Sequence, residues 1–385
     1  MTQELQHALR PEPGPTPRTR AWASTMSGHP VGSEGESVVR PHADSHVLLD
    51  IAEPVGREAR EASEERLLRG GATRARGAGE RARPELPDSE RTCFERDRDR
   101  IIHSTAFRRL AGKTQVVVFP TDHQRTRLTH ALEVAQVATS IARGVGANVS
   151  LTEAIALGHD CGHGPGGHAA EEAFDAFLPE GFEHGPWGAE VALADLNLCI
   201  QTLDGIANHS WSSPAPFTVE GEIVSWADRI AYCAHDLEDA IRAGIITDAD
   251  VPTSVTGPLG VALRNQTGTL IRAVIATTSA TGIIGMDKPT AAALAALRRF
   301  NYERIYTRPD SLDQSHTMIR MLQQLVSYYF THPDELPEGH RTENDLMRGV
   351  VTYVAGMTDR FAFECAERLL GWDPGSLPCG IGHGA

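Results

Sequence analysis

Apolar residues recur at helical spacing through most of this chain, and glycine and proline set the breaks between the runs. Leu128, Ala131, Leu132, Val134, Ala135, Val137, Ala138, Ile141 and Ala142 form a broad apolar stripe that predicts a core helix. Leu151, Ala154, Ile155 and Leu157 predict a second helix, with Ser150 and Glu153 spaced as a capping box at its start. Gly162, Gly164, Pro165, Gly166 and Gly167 cannot continue it, since glycine costs about 1 kcal/mol relative to alanine and proline lacks the amide donor. The chain must turn there. Ala169, Ala170, Ala173, Phe174, Phe177 and Leu178 then restart a helix, and Thr218 opens a long one that runs to a cap near Gly244. Helical patterns also cover Glu95 to Leu110, Ala262 to Ala276, Thr290 to Tyr306, Leu312 to Phe330 and Glu343 to Leu370. Residues 249–260 and 281–289 read as loops, and Val116 to Val118 as a short strand. With no internal repeat, the expected fold is all-α, a helical bundle with at most a short β-hairpin.

Residues 1–66 are rich in Pro, Gly, Ser, Glu and Arg without sustained periodicity, and are expected to form a disordered N-terminal tail. The folded domain is expected over residues 67–375, ending in a C-terminal helical extension, with a flexible tail over 376–385. Between Leu67 and Leu86 the text is Arg- and Gly-rich, which suits a solvated linker or a basic arm. Alternating Arg and Asp at positions 96 to 100 suit a solvated helix face knitted by ion pairs.

Composition narrows the functional classes. A net charge of -15 over 385 residues makes non-specific attraction to nucleic acid or anionic membrane an unlikely default, so a polyanionic ligand needs a local basic cluster. Arg108, Arg109 and Lys113 supply one, with Arg109 a candidate substrate contact. Six cysteines without a C-x-x-C pair point to reduced thiols in a cytoplasmic protein. No apolar run is long enough to span a bilayer, so no membrane partner is expected.

Candidate chemistry gathers where the second helix ends. His159 and Asp160 offer two unlike ligands from neighbouring positions, a pairing suited to a divalent metal of Mn, Fe, Co or Zn type. His159 and His163 also read H-D-x-x-H, close to the H-E-x-x-H of zinc proteases, but Gly162, Gly164 and Pro165 break the helix that motif needs. His168 and Glu171 stand at i, i+3 in the next helix, where the carboxylate could accept from one imidazole nitrogen and leave the other poised for proton transfer. His130 falls on or beside the buried stripe of the first helix. Asp228 lies among apolar neighbours in the Thr218 helix, costly unless paired or metal-bound, which makes it the natural fourth ligand.

In that order, His130, His159-Asp160 and Asp228 resemble the H…HD…D signature of the HD metal-dependent phosphohydrolase superfamily. The flanking text narrows the likeness. R-D-R-I-I-H-S-T-A-F-R-R-L-A-G-K-T-Q-V, L-T-H-A-L-E-V, G-H-D-C-G-H-G-P-G-G-H-A-A-E and A-D-R-I-A-Y-C-A-H-D are similar to the bacterial deoxyguanosinetriphosphate triphosphohydrolase-like proteins, and to the animal SAM-and-HD-domain dNTP triphosphohydrolase. The similarity runs from about Leu67 to Trp372. It implies hydrolysis of a deoxynucleoside triphosphate to deoxynucleoside and inorganic triphosphate with a divalent ion, Mn2+ or Mg2+, with Fe, Co or Ni also compatible. It implies metal ligation by His130, His159, Asp160 and Asp228, and a catalytic pair His168 and Glu171. His163 and His184 match histidines near the α-phosphate, Arg127 and Arg229 phosphate contacts, and Gln115 a residue reading the sugar. Tyr232 and Asp236 match the pair that excludes a 2′-hydroxyl. The family also suggests a homo-oligomer and a regulatory dNTP. The turn Gly164-Pro165-Gly166-Gly167 lacks the aromatic residue that family members often carry, which leaves base preference open. Two other readings stand beside this one: a nucleotidase or phosphodiesterase on the same scaffold, and a nucleotide sensor or single-stranded nucleic-acid binder using Arg91 to Arg109.

Overall fold

The computed structural model describes residues 14–31, 38–115, 124–341 and 345–378. These fall into two units, one up to Pro54 and one from Val55 onward. The first contains a helix, Pro17–Ala23, capped by the Thr16 side chain, and an antiparallel strand pair, His29–Val31 with Val38–Arg40, in which Pro30 faces Val39. The second unit is built from helices, as the apolar periodicity requires. The expected strand over Val116 to Val118 lies outside the described residues. Leu377 is buried, and residues 379–385 of the expected C-terminal tail also lie outside the description.

The second unit begins before residue 67. Arg57–Leu67 is a helix whose Glu61 is buried, and Glu64 accepts from the Ala75 amide at 2.7 Å and from Asn148 Nδ2 at 3.1 Å. Its sequence is polar throughout but rich in Ala, Glu and Arg, which favour helix; tertiary hydrogen bonds rather than an apolar stripe hold it. The Arg- and Gly-rich stretch after it is a packed strap. Thr73 donates to Glu220, and Arg81 pairs with Asp97 at 2.6 Å. Asp97 is fully buried and also accepts from the Cys199 amide and the Thr202 hydroxyl, so one residue of the Arg/Asp alternation is an internal tie.

Two apolar clusters form the interior. Ile101, Val134, Ile141, Leu151, Ile155, Ile223 and Ile230 belong to the first, and Phe174, Leu322, Leu325, Val350 and Phe363 to the second. Each such fully buried side chain contributes roughly 1.5–3 kcal/mol. The Arg127–Val145, Val149–Gly158 and Val219–Arg242 helices pack together in the first cluster, and His168–Asp175 packs on Pro309–Thr331 in the second. Arg125, just ahead of the Arg127–Val145 helix, pairs with Asp239 at 2.5 Å and Glu238 at 2.8 Å and fixes that helix start against Val219–Arg242.

Several boundaries differ from expectation for local reasons. Asn148, not Ser150, caps Val149–Gly158, its side chain accepting from the Ser150 and Leu151 amides. Ser104 is extended and divides the expected 95–110 helix into Cys93–His103 and Thr105–Arg109, capping the second piece through the Phe107 amide. Thr358 does the same between Leu346–Ala355 and Asp359–Cys365. Within the expected loop 249–260, Thr253–Leu259 is helical. Five cysteines, Cys93, Cys161, Cys199, Cys233 and Cys365, are free thiols, and among the described residues no helix is long and apolar enough to cross a membrane.

Candidate metal centre

Three helices deliver the four expected ligands to one place. His130 sits in the first turn of Arg127–Val145, His159 and Asp160 follow directly on Val149–Gly158, and Asp228 lies midway along Val219–Arg242. His159 Nδ1 is 2.7 Å from the Ala156 carbonyl. A carbonyl only accepts, so Nδ1 carries the proton and the neutral ring presents a lone pair at Nε2. That Nε2 is buried with no hydrogen-bond partner, 3.4 Å from Asp160 Oδ1 and 3.6 Å from Asp228 Oδ1. A lone pair facing two carboxylates is repulsive unless a proton or a metal cation lies among them. His130 Nε2 completes the group at 3.1 Å from Asp228 Oδ1. Two imidazoles and two carboxylates make a donor set suited to a divalent transition metal, and this orphaned nitrogen is the observation that fits one.

In the free protein a proton takes the place that a metal ion would fill. Burial works against protonating His159, yet Asp160 and Asp228 outweigh it and hold the ring up to about 9. Burial likewise opposes charge on Asp160 and Asp228. The surrounding positive groups win: His159 and Arg127 keep Asp160 well below the usual carboxylate range, and the hydrogen bond with His130, with the charge of His159 beside it, does so for Asp228.

The glycine turn after Asp160 brings the backbone in close. A Cβ on Gly162 would lie 2.0 Å from the His184 carbonyl oxygen and 2.4 Å from the Gly188 nitrogen. Gly162→Ala is therefore expected to cost on the order of 3 kcal/mol of stability, because backbone rather than a mobile side chain must move, and a denaturant midpoint measures it. Gly167 adopts φ 64°, where a side chain is strained, and a Cβ there would lie 2.5 Å from Arg127 Nη2. Arg127 Nη1 donates to Asp160 Oδ2 at 2.8 Å. The turn is tied to the second cluster through buried Asp359, which accepts from the Gly166 and Thr114 amides at 2.9 Å each.

Glu171 does not hold His168 as expected. Its Oε1 accepts from His184, from the backbone amide at 3.0 Å and from Nδ1 at 2.5 Å, because the chain returns over the start of His168–Asp175 and offers both donors to one oxygen. Burial raises Glu171, but that bond outweighs it and holds the carboxyl down to about 2. His168 faces the adjoining cavity and, among the described residues, does not donate to Glu171. Desolvation within the cavity, together with the positive charge of Arg127 and His184, pushes its ring down to about 4. His163 stacks on His184 with centroids 3.7 Å apart, and its Nε2 is 3.1 Å from Asp160 Oδ1.

The cavity holds about 530 Å³ and is bounded by Ile305 of the first cluster and Met318 of the second. Of the expected substrate contacts, Gln115, Arg127, Arg229, Tyr232 and Asp236 line it. Gln115 Oε1 is buried without a partner among the described residues. Arg229 lies over the Trp211 ring at 3.5 Å, and Arg298 Nε donates to the Tyr232 hydroxyl at 2.9 Å. The Tyr306 hydroxyl donates to Asp236 Oδ2 at 2.5 Å. Burial pushes Asp236 up to about 7 in spite of that bond. Native Asp236 thus binds its proton more tightly than the unfolded chain does, and stability falls as pH rises from about 4 to about 7. Asp236→Asn is expected to flatten that fall, by up to a few kcal/mol, when denaturant midpoints at about pH 5 and about pH 8 are compared with those of the parent.

Two expected cations are placed elsewhere. Arg109 is exposed beside Gly356 and does not line the cavity. Lys113 is buried, donates to the carbonyls of His163 and Ala355, and is pushed down to about 8 by burial. It is a structural tie. Several lining residues escaped the sequence reading: Arg298, Tyr302, Tyr306 and Arg308 from the C-terminal region, and His209, which carries no motif beyond its place just after a helix end.

Comparison with known proteins follows the same lines. Residues 127–233 match the HD domain, and residues 284–368 match the phosphohydrolase-associated domain. A deoxyguanosinetriphosphate triphosphohydrolase-like protein of Caldanaerobacter subterraneus subsp. tengcongensis is 41% identical over 316 residues, covering 80% of this chain and 93% of that protein. A protein of the same description from Clostridium perfringens (strain SM101 / Type A) is 40% identical over 299 residues, covering 73% and 87%. One from Desulfatibacillum aliphaticivorans is 37% identical over 318 residues, covering 75% and 90%.

Proposed function

Because this chain belongs to the family of deoxyguanosinetriphosphate triphosphohydrolase-like HD-domain proteins, we propose that it hydrolyses a deoxynucleoside triphosphate to deoxynucleoside and inorganic triphosphate. The observation that carries this reading is the cavity, which has His130, Asp160 and Asp228 at one wall, with the His159 Nε2 3.4 Å from Asp160 Oδ1, and Arg127, Arg229 and Arg298 around the rest. A divalent ion held by His130, His159, Asp160 and Asp228 would supply Lewis-acid polarisation of a phosphoryl oxygen and offset phosphate charge.

The chain's own residues account for the remaining requirements. An acidic protein must neutralise a polyphosphate locally, and three guanidiniums on the cavity wall do so with charge-assisted hydrogen bonds. Arg127 Nε is buried without a partner among the described residues, so a donor remains after Nη1 is committed to Asp160. His168 faces the cavity and is neutral in the free protein. A bound polyphosphate counters the positive charge of Arg127 and raises the ring, so that it can give a proton to the departing 5′-oxygen. Tyr232, Asp236 and Gln115 line the same cavity as polar groups able to bind a sugar, and the family resemblance assigns Tyr232 and Asp236 to the exclusion of a 2′-hydroxyl.

Incubation with each of the four dNTPs and with GTP, in Mn2+ or Mg2+, followed by separation of the products, tests the proposal. Deoxynucleoside together with triphosphate is the expected pair, and GTP is expected to react poorly. Release of monophosphate or diphosphate would instead favour a nucleotidase or phosphodiesterase on this scaffold.

A further inference from the structure

Arg127, Arg229 and Arg298 line the cavity, and each is held by a different kind of partner. Arg127 is tied to the Asp160 carboxylate at 2.8 Å and Arg298 to the Tyr232 hydroxyl at 2.9 Å. Arg229 is held by a ring: its guanidinium carbon lies 3.5 Å from the centroid of Trp211. At that separation a tilted guanidinium would drive a nitrogen into the ring, so the group lies flat, with its N–H donors pointing outward along its edge. Its Nε is buried with no hydrogen-bond partner among the described residues. A carboxylate in the same place would fix the group but neutralise it. An aromatic face fixes it and leaves the charge whole.

The ring is itself anchored. Trp211 lies in the segment between the Ile200–Ala207 and Val219–Arg242 helices, and its Nε1 donates to the Ser225 carbonyl at 2.9 Å. Ser225 precedes Arg229 by about one turn of the same helix, so the indole and the arginine it carries are registered to one element. Trp226 packs edge-to-face on the indole, with centroids 4.8 Å apart. Burial does not explain these contacts, since Trp211 remains 47% exposed. Trp211, Arg229, Arg298 and Tyr302 also line a second cavity of about 490 Å³, so Arg229 stands between two spaces and, without the ring, could swing into either.

We propose that Trp211 is a positioning residue for the substrate's phosphate chain: it clamps Arg229 against its ring and keeps the guanidinium donors turned to the first cavity. The proposal rests on the triphosphate reading of that cavity. A planar fork aimed in advance is what bidentate recognition of a phosphate needs, and holding it before substrate arrives removes an ordering cost from binding. Lysine, which has no planar face to stack, could not take the place of Arg229 here.

Calorimetric binding of inorganic triphosphate to the full chain in Mn2+, together with steady-state kinetics on the deoxynucleoside triphosphate that the parent turns over fastest, tests the clamp. Trp211→Leu is expected to weaken triphosphate binding and to raise KM by about 10-fold each, with a smaller fall in kcat. Trp211→Phe keeps an aromatic face and is expected to stay within about 3-fold of the parent. Trp211→Met serves in place of Trp211→Leu if that variant loses the parental circular dichroism spectrum. The double variant separates positioning from packing: once Arg229→Gln is made, adding Trp211→Leu is expected to cause no further loss. An equal loss in that background, or in Trp211→Phe, marks Trp211 as structural and overturns the clamp. A parent that binds triphosphate and hydrolyses the nucleotide, matched by Trp211→Leu, overturns the clamp and leaves the reading of the cavity standing. A parent that does neither overturns that reading, and the clamp with it.

Discussion

Asp228→Ala is expected to empty the proposed metal centre and to lower turnover by at least about 10³-fold, equivalent to roughly 4 kcal/mol of transition-state stabilisation. Asp228 Oδ1 is the atom common to the two histidines, 3.1 Å from His130 and 3.6 Å from His159. Without it the two imidazoles keep only Asp160, whose Oδ2 is already engaged by Arg127 at 2.8 Å. Asp228→Asn keeps the shape and removes the charge, and is expected to fall nearly as far, since a neutral amide cannot balance a divalent ion. Metal analysis and steady-state kinetics on the same preparations check both. A variant that keeps its metal and its turnover would remove Asp228 from the centre.

His168→Ala has the second largest effect and a different signature. Metal content is expected to stay at the parental level while turnover drops by about 10²–10⁴-fold, the usual range for losing a positioned acid or base. The reason is location: His168 lines the cavity beside Arg127 without approaching the His130, His159 and Asp228 group. Its ligand nitrogen does lie near those of His163 and His184, so a joint loss of metal and activity would mark it as a ligand. Glu171 provides a further contrast. Because it holds His184 and not His168, Glu171→Gln is expected to disturb His184 first, with His168 affected only through the lost negative field.

How far the sequence could be read depended on the range of the forces involved. The apolar stripe around His130, the glycine turn after Asp160 and the acid at 228 set among apolar neighbours are local patterns, and together they placed the centre on three helices. Glu171 went to the wrong histidine because its true partner reaches it through the returning chain at His184, a contact that i, i+3 spacing cannot reveal. The same limit explains Lys113 and Arg109. A run of cations looks alike whether a side chain ends on buried carbonyls, as Lys113 does, or beside Gly356 in solvent.

Helix existence was more legible than helix ends. Ser104 and Thr358 interrupt apolar patterns that continue across them, because a hydroxyl capping the next turn outcompetes continuation, which the hydrophobic periodicity does not register. Arg57–Leu67 shows the converse, a helix with no apolar face that is held by Glu64 and Arg57 contacts far along the chain. His209 and the wall from Arg298 to Met318 were not legible as site residues, since helical spacing places a helix without showing which distant side chains it will face.

The most direct test of the account is the fate of the oxygen from water. Hydrolysis of the preferred deoxynucleoside triphosphate in oxygen-18-enriched water, followed by mass spectrometry of both products, is predicted to place one labelled oxygen in inorganic triphosphate and none in the deoxynucleoside, as attack at the α-phosphorus beside the His130, His159, Asp160 and Asp228 cluster requires. Label in the 5′-hydroxyl, or in a released monophosphate or diphosphate, would contradict it.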